Sequence, residues 1–189
     1  MDRLPPIPEA RWTDRQREEA HAIIAGPRGA LIGPFVPLLR SPELLGHAQR
    51  MGEYLRYRSA LPQALSELAI LVTARAWSQA VEWAIHAPIA RERGIPESAI
   101  LAIAEGRPPE GLPAEARVVY DFCHEIHADR AVSDATWAQA ITAFGETGVV
   151  DLLGICGYYT LLSMVMNAAR TPAPASSAPP LAPAPPKAP

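Results

Sequence analysis

The stretch QALSELAILVTARAWSQAVEWAIHAPIARERG, Gln63–Gly94, opens after Pro62, stops at Gly94 and reads as helix, either continuous or bent near Ser78. Proline ahead of a first turn and glycine past a last one are helix punctuation. That punctuation recurs along the chain while strand alternation is nearly absent, which predicts an all-α bundle of roughly eight helices. Upstream, Thr13 with Gln16 predicts a capping box and Gly26 the end of its helix. Gly26–Arg40 is too rich in glycine and proline for regular structure until its end, and predicts a loop that wraps back over the domain. Ser41 and Pro42 open a helix to about Arg58. Downstream, residues 96–106, 113–130, 133–145 and 149–169 read as further helices joined by short loops.

Within the opening stretch, Glu82 and His86 are four apart and share a helical face. Ser78 and Gln79 lie one turn earlier, and Glu67, Arg75 and Ser78 are spaced to form one stripe on the preceding segment. A carboxylate beside an imidazole raises its pKa and orients its ring, an arrangement suited to proton transfer near neutrality. Arg75 is placed to hold a substrate carboxylate in a two-pronged hydrogen bond, and Trp77 and Trp83 to wall the site from water. Glu–His pairs at this spacing also occur on solvated helices, and tryptophans commonly fill cores, so spacing alone leaves both readings open. Tyr54, Tyr57, Tyr158 and Tyr159 are phenolic donors for either a pocket or a helix contact.

The chain's 189 residues fit one domain; 49% are apolar and 20% charged, an ordinary globular balance. Net charge is −3 and the single lysine, Lys187, lies near the end, so no basic stripe marks a nucleic-acid interface. Cys123 and Cys156 sit in different helical segments, form neither CxxC nor zinc spacing, and predict reduced, buried thiols in a cytoplasmic protein. The N-terminal MDRLPPIPEARW lacks the apolar region of a signal peptide. The most apolar run, Leu152–Met166, is shorter than the ~18–20 residues that cross a bilayer, so a buried helix and no membrane contact are expected. His124–His127 (HEIH) lacks the HExxH spacing, so no metal site is expected; no P-loop, GxGxxG or GxSxG occurs. After Arg170 the sequence TPAPASSAPPLAPAPPKAP holds eight prolines and no aromatic residue. Such a composition predicts a disordered, polyproline-like tail over 171–189, with an SH3-type partner as the lesser reading.

The run GEYLRYRSALPQALSELAILVTARAWSQAVEWAIHAPIARERGIP strongly resembles the carboxymuconolactone decarboxylase family. So do GPFVPLLRSPEL before it and VSDATWAQAITAFGETGVVDLLGICGYYTLLSMVMNA after it, and the likeness covers about Leu31–Ala169. The resemblance implies an AhpD-like helical fold over residues 31–170, preceded by a helical extension over 1–30, and a homo-oligomer of the trimer or hexamer kind. Thiol-peroxidase members of the wider superfamily carry a glutamate, eleven residues, a CxxC and a histidine four past the second cysteine. Glu67 and His86 match the ends of that pattern, whereas Gln79 and Glu82 occupy the cysteine positions. The resemblance therefore implies the branch without the pair, and no thiol–disulfide chemistry.

For the decarboxylase branch the implied reaction takes γ-carboxymuconolactone to an enol-lactone and CO₂, in aromatic-acid breakdown, without a cofactor. Its needs are donors for a developing oxyanion, an anchor for a remaining carboxylate and a proton donor. On that basis His86 is the expected proton donor, oriented by Glu82 or Glu67. Arg75 is the expected anchor, with Trp77, Trp83, Gln79 and Tyr54 around the substrate. The competing readings are an AhpD-like oxidoreductase and a non-catalytic helical oligomer that binds a small acid.

Overall fold

A computed structural model describes residues 1–183 and contains helices but no strand among them. A single 3-10 turn, Glu9–Arg11, precedes α1 (Asp14–Ala25), α2 (Phe35–Leu38), α3 (Pro42–Tyr57) and α4 (Gln63–Ala76). Then follow α5 (Ala80–Glu92), α6 (Glu97–Ala104), α7 (Ala114–Ala128) and α8 (Asp134–Ala169).

Helix α4 is the axis of the bundle. Every residue from Leu65 to Ala74 is buried, as expected of a helix with apolar residues on all sides. Helices α5, α7 and α8 pack around it, and α3 and α6 complete the enclosure. The chain does not run on from α4 into α5. Ser78 takes a left-handed conformation (φ 47°), and the Gln79 side chain caps α5 by accepting from the Val81 amide at 2.6 Å. This tight turn folds α5 back against α4 and brings Glu67 opposite Glu82 and His86.

The predicted capping box on α1 is present, with Thr13 and Gln16 exchanging side-chain bonds to each other's backbone amides. Proline occupies the first turn of α3, but the Ser41 side chain makes no capping bond. The glycine-rich loop contains one extra helical turn, α2. Helix α8 joins two segments read separately from the sequence, and Gly145 (φ 66°, ψ 178°) marks the break between them. By length and composition α8 could cross a membrane, yet 56% of its apolar window is buried against the other helices.

The N-terminal extension contains helix α1 and packs into the bundle: Ala20 and Ile23 join the common core, and Gln16 bonds the Leu39 carbonyl at 3.0 Å. The proline-rich tail, expected to be disordered, is not a solvated coil over residues 171–183; the expectation for 184–189 lies outside the described residues. It forms a strap along the bundle. The Ser176 hydroxyl bonds the Ala84 carbonyl (2.6 Å), and the Trp83 indole N–H bonds the Pro179 carbonyl (2.7 Å). Further on, Ala182 bonds the Ala104 carbonyl through its amide and accepts from Arg75. Prolines cannot donate, but their carbonyls accept, so a composition unable to form a core still binds donors presented by one. The first contact has a further cause. Pro88 lies inside α5 and lacks the N–H that would satisfy the Ala84 carbonyl, and Ser176 supplies the donor instead.

Candidate active site

Three of the sequence-predicted residues converge. His86 Nδ1 lies 2.6 Å from Glu67 Oε2 across the α4–α5 interface, and His86 Nε2 lies 3.2 Å from Glu82 Oε2 one turn back on α5. Their relative exposures are 3%, 4% and 2%, which settles the choice between a solvated ion pair and an enclosed cluster. Because both ring nitrogens face carboxylate oxygens, only the imidazolium can donate to both. Burial by itself would push the His86 pKa down; the charges and hydrogen bonds of Glu67 and Glu82 outweigh it and raise it to about 9.

This balance predicts a stability profile. A histidine pKa raised from 6.5 when unfolded to about 9 when folded contributes stability that is fully present below pH 6.5 and lost as pH rises through 9. The expected contribution is about 3 kcal/mol. Urea unfolding midpoints should therefore fall between pH 6.5 and 9, and that slope should vanish in His86→Gln. A wild-type midpoint constant over that range would contradict it.

The cluster forms one wall of a cavity of about 240 Å³ bounded by the 27–35 loop, the end of α3, α5 and α8. Glu82 and His86 line it together with Arg28, Arg56, Tyr158 and Tyr159. Arg56 Nε stands 3.8 Å from Glu67 Oε1. Tyr159 meets His86 edge-on, with ring centroids 5.2 Å apart, and Tyr158 meets Tyr159 in the same way. Burial pushes the Tyr158 phenol up to about 12, with the Arg28 charge opposing and Glu82 reinforcing, so at neutral pH it is a protonated donor. Its hydroxyl lies over Gly52 beside the Arg28 guanidinium, and no protein atom meets it in hydrogen-bonding geometry. Glu82 Oε1 and Arg28 Nε are likewise buried without partners. Unpartnered buried polar atoms are costly and mark where a ligand's groups would be met. With the imidazolium and two guanidiniums against two carboxylates, the site has an excess of one positive charge. Among the described residues no group of three His, Cys, Asp or Glu is arranged to hold a metal ion.

The other five predicted residues lie outside this cavity. Arg75 lines a separate depression beside Gly106 and bonds the Ala182 carbonyl at 2.9 Å. Eight residues along a helix advance it ~12 Å and turn it ~80°, so Arg75 cannot share the Glu67 face. Trp77 bonds the Thr160 hydroxyl (3.1 Å), and buried Trp83 is tied to the strap. Gln79 is occupied as the cap of α5 and donates to Asn167 at 2.8 Å. The Tyr54 hydroxyl bonds Asp151 at 3.0 Å. The cations that line the cavity are instead Arg28 and Arg56, neither of which carries a spacing signal. Arg28 arrives on the loop and Arg56 from the last turn of α3.

Residues 42–119 match the model of the carboxymuconolactone decarboxylase family, in keeping with the sequence resemblance; that span runs from α3 into α7 and holds Arg56, Glu67, Glu82 and His86. No curated protein matches the chain. Among solved structures, one similar chain is an uncharacterized peroxidase-related protein from Ralstonia eutropha JMP134, described as an alkylhydroperoxidase AhpD core. It is 18% identical with a TM-score of 0.72, over 88% of this chain and 89% of its own. At that identity the likeness establishes the fold, an all-helical AhpD-like architecture.

Proposed function

We propose that the chain is a cofactor-independent carboxy-lyase acting on a small carboxylated lactone of the γ-carboxymuconolactone type. The observation that carries this reading is His86, clamped as an imidazolium between two carboxylates at the wall of a small cavity that also holds two arginines. Arg28 and Arg56 anchor the anionic substrate through a carboxylate that is retained. As the other carboxylate leaves as CO₂, its bonding pair moves through the ring alkene into the lactone carbonyl. The Tyr158 hydroxyl, protonated and otherwise unpartnered, donates to the oxyanion that develops there. His86 then delivers its proton to the dienolate carbon, and the neutral imidazole is recharged from water. Glu67 holds the ring by Nδ1, and Glu82 keeps Nε2 charged until transfer.

The structural likeness to a peroxidase-related protein favours a second reading, peroxide reduction. At the His86 site Gln79 and Glu82 stand where the cysteine pair would lie, so this cavity contains no thiol to carry it. The deciding experiment supplies γ-carboxymuconolactone to the full-length protein and follows lactone absorbance and CO₂ release together. Stoichiometric CO₂ with multiple turnovers is the expected result. Substrate that stays intact while still protecting the protein thermally would instead assign a binding role.

A further inference from the structure

Cys123 on α7 and Cys156 on α8 are far apart in sequence, yet their sulfurs lie 3.5 Å apart. Both are free thiols. A disulfide bond of ~2.05 Å would need them to approach by about 1.5 Å.

The two thiols are not equivalent. Cys123 is fully enclosed. Cys156, at 3% exposure, borders a groove of about 780 Å³ that His127, Arg130 and Trp77 also line. His127 Nε2 is 2.9 Å from the Thr73 hydroxyl, and His127 shares the groove wall with Cys156. Hydrogen bonding from Cys123 lowers the Cys156 pKa to about 6 against the effect of burial, with His127 and Thr73 assisting. Burial pushes Cys123 well above its ordinary value. Of the two sulfurs, the one bordering the groove is thus the one that gives up its proton more readily, and the thiolate is the nucleophilic form. None of the groove's residues lines the His86 cavity.

We propose that Cys156 and Cys123 form a peroxide-responsive dithiol, separate from the lyase site, that closes to a disulfide between α7 and α8. The Cys156 thiolate attacks one oxygen of a small hydroperoxide, the O–O bond breaks, and the other oxygen leaves as an alcohol, or as water from hydrogen peroxide, on taking up a proton. Cys156 becomes a sulfenic acid. The Cys123 sulfur then attacks the Cys156 sulfur, forming the S–S bond and expelling the sulfenic oxygen as water. Two electrons pass from the two thiols to the peroxide, and the two thiol protons end on the two leaving oxygens. An external dithiol returns the pair to the reduced state by thiol–disulfide exchange.

The test uses the reduced full-length protein, a few equivalents of hydrogen peroxide, quenching with iodoacetamide under denaturing conditions, and intact mass. Expected are a loss of about 2 Da with no alkylation, reversal by dithiothreitol, and a linked Cys123–Cys156 peptide. Cys123→Ser should accumulate a dimedone adduct on Cys156, and Cys156→Ser should consume peroxide about tenfold more slowly or worse. Two alkylated thiols after peroxide treatment, or equal peroxide consumption by the two variants, would overturn the proposal and leave the pair as packing. The mass change in the unsubstituted protein decides the question even where a variant folds poorly.

Discussion

His86→Gln is expected to lower kcat for the lactone by about two to four orders of magnitude, the usual contribution of a positioned proton donor. The glutamine amide retains a donor toward one carboxylate but carries no transferable proton near neutrality. Loss should appear in kcat more than in KM, because Arg28 and Arg56, the proposed substrate anchors, are untouched. Removing the cation between Glu67 and Glu82 also leaves two buried carboxylates facing each other, with Arg56 at 3.8 Å from Glu67 as compensation on that side only. Breaking a buried pair in this way costs about 3–5 kcal/mol. Activity is therefore compared per folded molecule, with circular dichroism at low temperature as the control. Turnover within a few-fold of wild type in a folded variant would remove His86 from the chemistry.

Gly52→Ala should disable the same site from the opposite wall. Gly52 lies in α3 with no left-handed requirement; what it provides is space. A methyl group there would overlap the Tyr158 hydroxyl and ring carbon as well as the Arg28 guanidinium. Arg28 is able to swing aside, but Tyr158 is 2% exposed and braced edge-on by Tyr159. Overpacking of this kind costs roughly 1–3 kcal/mol. Displacing an oxyanion donor lowers kcat by about 10²–10³-fold, and withdrawal of Arg28 raises KM in addition. Tyr158→Phe separates the two effects: it should reproduce the kcat loss and leave KM and stability near wild type. Wild-type kinetics in Gly52→Ala would mean that neither Tyr158 nor Arg28 serves the substrate.

The legible parts of this fold were those written in local punctuation. Thr13–Gln16, Pro62, Gly94 and Gly106 mark helix ends by backbone rules that act over one turn, and the Glu82–His86 pair is a single-turn relationship. Glu67 entered through the family pattern, since its meeting with His86 depends on the reversal at Ser78–Gln79. Arg75 was misplaced because an eight-residue interval looks periodic while the helix has turned away. Arg28 and Arg56 were invisible, as a loop and a separate helix deliver them. The thiol pair was invisible for the same reason: contact between α7 and α8 is set by packing around α4 and not by any spacing between cysteines. For the tail, composition described what its residues cannot build, and the side-chain donors on α4 and α5 together with the carbonyls of Ala84 and Ala104 on α5 and α6 determined where it lies.

The Ser176 bond to the Ala84 carbonyl makes a mid-helix proline and a residue near the chain's end dependent on each other. A helix interior normally selects against proline on purely local grounds. Here the local defect is repaired from a distance, and the repair site adjoins Trp83, which the strap also holds, on the helix that carries Glu82 and His86. Substitutions at positions 88 and 176 are therefore epistatic: loss of Ser176 is harmful chiefly while Pro88 is present, and a helix-compatible residue at 88 frees the strap to diverge. Change in the terminal segment is in this way filtered by the backbone of the helix beneath the site, and the two must drift together.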